Sequence, residues 1–221
     1  MKPLVVLLFA MTLAAQQPTG AFVPVTDQML EKPDAGDWLL WRRTLDSWGY
    51  SPLTQINKSN VGGLKMIWTR GMAAGTNEAT PLVHNGVMYL PNPLDLTQAM
   101  NAATGDLVWE HQRKLPEDYR KFIPNPAGNR NVAIYGDKII DTSVDDFVYA
   151  MDAKTGEQAW ETRIADYREL SAQHTSGPIA AKGKLFSGRG CEPRGGPDAC
   201  VITAHDARTG KELHCGQRAG Q

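Results

Sequence analysis

One loop of this chain concentrates residues with chemical potential. It runs Gly188-Arg189-Gly190-Cys191-Glu192-Pro193-Arg194-Gly195-Gly196-Pro197-Asp198-Ala199-Cys200. Cys191 and Cys200 flank it and could pair where oxidation is permitted, leaving Cys215 as the odd thiol. Glu192 offers carboxylate oxygens, the donors a hard cation takes. Taken alone, a glutamate in a Gly-rich loop is more often simply solvated.

The elements that must position this loop form a repeat. The phrase Met100-Asn101-Ala102-Ala103-Thr104-Gly105-Asp106-Leu107-Val108-Trp109 recurs from Met151 to Trp160 and again from His205 to His214. Gly105 and Gly156 are 51 positions apart, and Gly156 and Gly210 are 54 apart. That is the period of a blade, too long for a helical solenoid unit. The Asn or Asp and the Thr-Gly step predict a tight turn with glycine at φ > 0. The Trp four residues later suits a wedge between neighbouring sheets, its N–H bonded to the adjacent unit.

An apolar hairpin precedes each phrase, turning at Asn85-Gly86, Gly136-Asp137 and Lys182-Gly183. Asn85 to Gly105 and Gly136 to Gly156 both span 20 positions, whereas Lys182 to Gly210 spans 28. The 8 extra positions fall in the Gly188 to Cys200 loop. A repeat that keeps its frame and lengthens one loop is usually placing something there. The fold class expected is all-β, a β-propeller.

Composition narrows the partners. The net charge is −1 with no basic stripe, which argues against nucleic acid. Lys2, the apolar run from Leu4 to Leu13 and the small pair Ala14-Ala15 read as a secretory signal peptide over residues 1–15. That run is too short to span a bilayer comfortably. Residues 16–37 read as a loosely held, Pro-containing lead-in. Four of the six Trp residues follow before any full repeat, and Trp68 stands 41 positions before Trp109, where a blade-ending Trp belongs.

Trp38 through Trp68, with Tyr50-Ser51-Pro52-Leu53 and Asn60-Val61-Gly62-Gly63-Leu64, resembles the opening of the quinoprotein alcohol dehydrogenases, the methanol/ethanol family that uses pyrroloquinoline quinone (PQQ). The Ala-x-Thr-Gly-x-x-x-Trp phrase is similar to that family's tryptophan-docking motif, and the likeness covers about residues 37 to 213. The resemblance implies a propeller of about eight four-stranded blades, of which residues 38–213 supply about four. It also implies a periplasmic enzyme that binds PQQ and calcium, oxidises a small alcohol and passes electrons to a c-type cytochrome.

Residue by residue, Glu192 matches the family's metal-ligating glutamate, and Gly190 and Cys191 match small residues that let the backbone approach the cofactor. Glu78 matches a glutamate at the cofactor's edge, and Arg130 the arginine whose guanidinium contacts the quinone oxygens. Ser143, with Thr142 as a one-position alternative, and Thr175 match hydroxyl donors. Asp145, Asp146 and His174 are left as solvated or structural.

Two departures stand out. Where many members carry an adjacent Cys-Cys pair, this chain has Pro124 and Asn125. The third phrase ends on His214 in place of Trp, and residues 214–221 match nothing in the family, as in a truncated or frame-shifted product. The catalytic base, the Trp floor and an Asn of the calcium site belong to later blades, and no Cys-x-x-Cys-His haem motif occurs. The expected chain is thus an inactive portion of a dehydrogenase. The second reading is a non-catalytic propeller of the kind that assists outer-membrane protein assembly, which Arg130 and the Gly190-Cys191-Glu192 loop argue against.

Overall fold

Each hairpin-plus-phrase unit folds into one four-stranded antiparallel sheet. The computed structural model describes residues 21–123, 130–169, 174–189 and 201–217. The first sheet is β1 (Leu82–His84), β2 (Val87–Asn92), β3 (Leu96–Asn101) and β4 (Leu107–Gln112). The second is β5 (Ala133–Tyr135), β6 (Lys138–Thr142), β7 (Phe147–Asp152) and β8 (Gln158–Arg163). The third is β9 (Ile179–Ala181), β10 (Lys184–Gly188), β11 (Val201–Asp206) and β12 (Glu212–Gln217). Helices α1 (Asp27–Glu31) and α2 (Tyr119–Phe122) are short. This is a partial propeller, nearly all β. The unit that should precede β1 is represented by Trp68, without a four-stranded sheet of its own among the described residues.

The turns follow the local chemistry. Asn85 and Gly86 have φ of 51° and 76°, and Lys182 and Gly183 have 51° and 71°, so both central residues are left-handed as a primed turn requires. In the phrase, Asn101 Oδ1 accepts from the Ala103 and Thr104 amides at 2.9 and 3.3 Å. Asp152 Oδ1 does the same for Lys154 and Thr155 at 2.9 and 3.0 Å, and Asp206 Oδ1 for Arg208 and Thr209 at 3.1 and 2.9 Å. A register shift, a β-bulge, follows Ala99, Ala150 and Ala204 alike.

Sheets join through indoles. A Cβ built on Gly105 would stand 2.7 Å from the Trp68 ring, on Gly156 2.6 Å from Trp109, and on Gly210 2.3 Å from Trp160. Trp68 Nε1 donates to the Ala102 carbonyl at 3.2 Å, and Trp109 Nε1 to Ala153 at 3.0 Å. Trp160 makes the same ring contact, but its Nε1 finds no acceptor among the described residues. Tyr89, fully buried, reaches the Ala153 carbonyl from the same face at 3.1 Å.

Rows of paired residues show which face each sheet turns to the next. Leu82, Tyr89, Ala99 and Trp109 form one row, Ala133, Ile140, Ala150 and Trp160 the next, and Ile179, Phe186, Ala204 and His214 the third. The first two rows lie within the core, while in the third Ile179 and Phe186 are 50% and 43% exposed. Backbone pairing of β12 with β11 continues through Val201↔Gln217, past the point where the phrase loses its pattern.

The lead-in differs from expectation, for residues 21–37 are fastened to all three sheets. Val25 exchanges backbone hydrogen bonds with Gly136 at 2.8 Å, and Val25 and Leu30 are buried in the core. Asp27 accepts from the Lys182 amide at 2.7 Å and the Tyr135 hydroxyl at 3.1 Å. His84 sits between Asp37 Oδ2 and the Val23 carbonyl, each at 2.7 Å. The few apolar and acidic residues of this stretch have specific sockets that sequence composition does not reveal. Residues 1–20, and with them the signal peptide, lie outside the described residues. No helix among the described residues is long and apolar enough to cross a membrane.

The docking geometry yields a paired prediction. Gly86 and Gly156 have nearly the same φ, 76° and 75°, but nothing lies within 4 Å of a Cβ on Gly86. Gly86→Ala should cost only left-handed strain, roughly 1 to 2 kcal/mol. Gly156→Ala adds overpacking against Trp109 and should cost about 1 to 3 kcal/mol more. Urea denaturation midpoints of the two variants would show this, and equal losses would exclude indole docking as the seam.

Candidate cofactor site

In an antiparallel meander the loops before the first strand, between the second and third, and after the fourth share one end of the sheet. The hairpin and Thr-Gly turns occupy the other end. Glu78 precedes β1, Arg130 precedes β5, Thr175 precedes β9 and Ser143 lies between β6 and β7, so all four belong to the rim opposite the docking turns. β10 ends and β11 begins at this rim too. Gly190, Cys191 and Glu192 lie outside the described residues, as do Cys200 and the Pro124-Asn125 positions.

Three of the expected residues converge. Arg130 Nε donates to Glu78 Oε2 at 2.8 Å, and Arg130 Nη1 to Thr175 Oγ1 at 3.1 Å. Backbone bonds tie the same loops in series, from the Thr80 amide to the Arg130 carbonyl at 3.1 Å and from the Arg130 amide to the Thr175 carbonyl at 3.2 Å. Arg130 and Glu78 are each half exposed, so the pair contributes little stability. A guanidinium carries five N–H groups in a rigid fork. With Nε held by Glu78 and one hydrogen of Nη1 by Thr175, the remaining N–H groups are of the type that an acceptor such as a carboxylate or a carbonyl oxygen takes. An apolar hollow of about 100 Å³ adjoins the loops, lined in part by Trp41, Leu45, Asn131, Val132, Pro178 and Ile179.

Ser143 does not join them. It is fully buried and bonds within its own turn, donating to Asp145 Oδ1 and accepting from the Phe147 amide at 3.1 Å. Its neighbour Thr142 donates instead to the Ser176 carbonyl at 3.3 Å, beside Thr175. Asp145, Asp146 and His174 are buried and structural, not solvated.

Sequence reasoning missed a second fastening along this rim. Asp95 and Asp146 are 51 positions apart, the same interval as Gly105 and Gly156. Both are non-glycine residues in the left-handed region, at φ 57° and 66°. Their carbonyls accept from Arg113 and Ile164, again 51 apart, at 3.1 and 2.9 Å. Each carboxylate reaches forward to the next unit. Asp95 Oδ2 accepts from the Val144 amide at 3.0 Å. Asp146 Oδ2 lies 3.0 Å from Arg189 Nη2, a fully buried ion-pair contact without hydrogen-bond alignment. The repeat interval was the signal that could have found both.

Burial dominates the electrostatics here. Arg113 forks onto Asp145 at 2.9 and 3.1 Å and reaches Glu161 at 2.7 Å. Burial, then the charge of Asp141, pushes the Asp95 carboxyl up to about 8. Burial pushes Asp146 up to about 7 against the pull of Arg189. His174, bonded through Nε2 to Ser187 at 2.7 Å, is pushed down to about 3 by burial and then by Arg189 and His205, so it stays neutral. No group of three His, Cys, Asp or Glu side chains suited to a metal occurs among the described residues.

Known proteins share this fold. Residues 38–214 match the family model described as glucose/ethanol/alcohol dehydrogenase, beta-propeller domain. The dehydrogenase subunit of the quinone alcohol dehydrogenase of Komagataeibacter europaeus is 36% identical over 182 residues, covering 80% of this chain and 24% of the relative. The quinohemoprotein alcohol dehydrogenase ADH-IIG of Pseudomonas putida is 34% identical over 180 residues, 81% of this chain and 25% of its own length. The solved ADHIIG structure superposes with a TM-score of 0.77 at 31% identity, over 90% of this chain and 30% of that one. A europium-containing methanol dehydrogenase gives 0.76 at 25% identity, over 88% and 34%. The chain spans about a quarter of the length of the curated relatives it matches.

The aspartate rim predicts a pH effect. An unfolded aspartate ionises near pH 4, whereas folded Asp95 keeps its proton to about 8. Folding takes up a proton between those values, so stability falls as pH rises from about 4 to about 8 and levels off above. Asp95→Asn keeps an acceptor for Val144 and removes that slope. Melting temperatures should favour the variant at pH 8.5 and converge with wild type near pH 4, and parallel curves would rule the assignment out.

Proposed function

Because the chain belongs to the glucose/ethanol/alcohol dehydrogenase β-propeller family, we propose that it carries one side of a PQQ site, within a periplasmic enzyme that oxidises small alcohols and passes the electrons to a c-type cytochrome. The observation that carries this reading is the convergence of Glu78, Arg130 and Thr175 from three successive loops. PQQ is a planar ortho-quinone bearing carboxylates, and its rim needs cations and hydroxyl donors. The donor set suits that need. Arg130 presents a guanidinium edge, Glu78 orients it through Nε, and Thr175 holds Nη1. When bound, the quinone supplies an electrophilic carbonyl that accepts two electrons from the alcohol.

The chain's own residues orient the ligand and fix the guanidinium before it arrives, which lowers the cost of ordering on binding. Calcium enters the proposal through Glu192, whose carboxylate is of the hard-donor type such an ion takes. Several relatives are named alcohol dehydrogenases, and one is named a 1-butanol dehydrogenase (cytochrome c). These names support the alcohol substrate and the cytochrome partner. Export rests on the apolar N-terminal run. The chain by itself is taken to bind and not to turn over, since no catalytic base is assigned within it.

Equilibrium dialysis of PQQ against the 221-residue chain, with and without Ca²⁺, tests the reading. Saturable binding that strengthens with Ca²⁺ is expected. Arg130→Ala should weaken it at least tenfold, about 1.4 kcal/mol, and Glu192→Gln should abolish the Ca²⁺ dependence. Binding of neither PQQ nor Ca²⁺ would favour a non-catalytic propeller, and an Arg130→Ala variant that binds as wild type would remove Arg130 from the site.

A further inference from the structure

The contact of Arg130 with Thr175 depends on how closely the loop before β9 approaches the loop before β5. Where that loop packs against Asn131 stands Gly177, buried, two residues after Thr175. A Cβ built on it would stand 1.6 Å from the Asn131 carbonyl oxygen and 2.9 Å from Asn131 Nδ2. Its φ is not in the left-handed region, so the requirement for glycine is steric and not conformational. The obstacle is backbone, which cannot swing aside as a flexible side chain can. The Asn131 side chain closes on the same position, its Nδ2 donating to the Pro178 carbonyl at 3.5 Å.

We propose that Gly177 is a positioning residue for the Arg130 cluster, its missing side chain letting the pre-β9 loop seat against Asn131 and thereby close Thr175 onto the guanidinium. Asn131 is the residue next to Arg130, so the seat and the cluster share one rigid stretch. Arg130 meets residue 175 twice, through its amide and through Nη1. Any side chain at 177 forces the two loops apart and breaks both contacts. The links from Arg130 to Glu78 and Thr80 come from the loop before β1 and survive.

That asymmetry separates positioning from general destabilisation. In amide hydrogen exchange on the full chain, Gly177→Ala should speed exchange of the Arg130 amide at least tenfold. The Thr80 amide and the Ala153 amide, bonded to Asp137 at 2.9 Å, should stay protected. Thr175→Val removes only the hydroxyl and should leave the Arg130 amide protected. An Arg130 amide unchanged in Gly177→Ala overturns the proposal. Should that variant fail to fold, the wild-type protein still decides. A close Gly177 Hα to Asn131 carbonyl contact predicts a downfield Hα shift and a nuclear Overhauser effect to the Val132 amide, and their absence overturns the proposal equally. The ligand arm rests on the proposed cofactor site. Gly177→Ala and Thr175→Val should each weaken PQQ binding about tenfold, the factor for one lost hydrogen bond to a charged group. If wild type binds no PQQ, the cofactor reading fails while the exchange measurements still judge Gly177.

Discussion

An indole can lie flat against a turn only where that turn has no side chain. Gly105, Gly156 and Gly210 meet this condition, and every one of them carries the ring of a tryptophan from the preceding unit. Their left-handed φ, near 75°, serves the turn. Their missing Cβ serves the seam. One residue type thus answers a local and a long-range requirement at the same position. Contact between sheets is made at that glycine as well as along the apolar rows on either side of it.

The seam at one rim leaves the other rim free for polar groups. There the loops that enter each sheet carry Glu78, Arg130 and Thr175, while the turns between second and third strands carry Asp95 and Asp146. The two sets behave differently because their exposure differs. The Glu78 and Arg130 pair is half in water and available to a ligand. Asp95, Asp141 and Asp146 are buried among few compensating charges, and protons stay on two of them at pH values where a solvated carboxylate would have none. The outer, hydrated groups suit recognition, and the inner ones suit fastening.

How much of this could be read from sequence depends on the range of the interaction concerned. The hairpins at Asn85-Gly86 and Lys182-Gly183 and the three phrases follow near-neighbour rules, and the structure has them as expected. Trp68 could be assigned a docking role because its spacing from Trp109 is repeat-like. Arg130, Glu78 and Thr175 were found through family likeness, and nothing in their local sequence says that they meet. Gly177 was invisible because its constraint comes from a backbone oxygen 46 positions away, at Asn131. The lead-in reads as loosely held for a similar reason: Val25, Asp27 and Leu30 carry no local signal, and their partners are Gly136, Lys182 and the core. The paired aspartates were legible in principle from the 51-residue interval.

Both kinds of fastener point the same way along the chain. Trp68, Trp109 and Trp160 each reach a turn made later in sequence, and so do the carboxylates of Asp95 and Asp146. During synthesis on the ribosome, a newly emerged sheet therefore holds its socket ready for the unit before it, while its own plug waits for residues not yet translated. Ile179 and Phe186, half-exposed on the third sheet, are the kind of apolar face that such an order of assembly leaves uncovered until a following cassette reaches it.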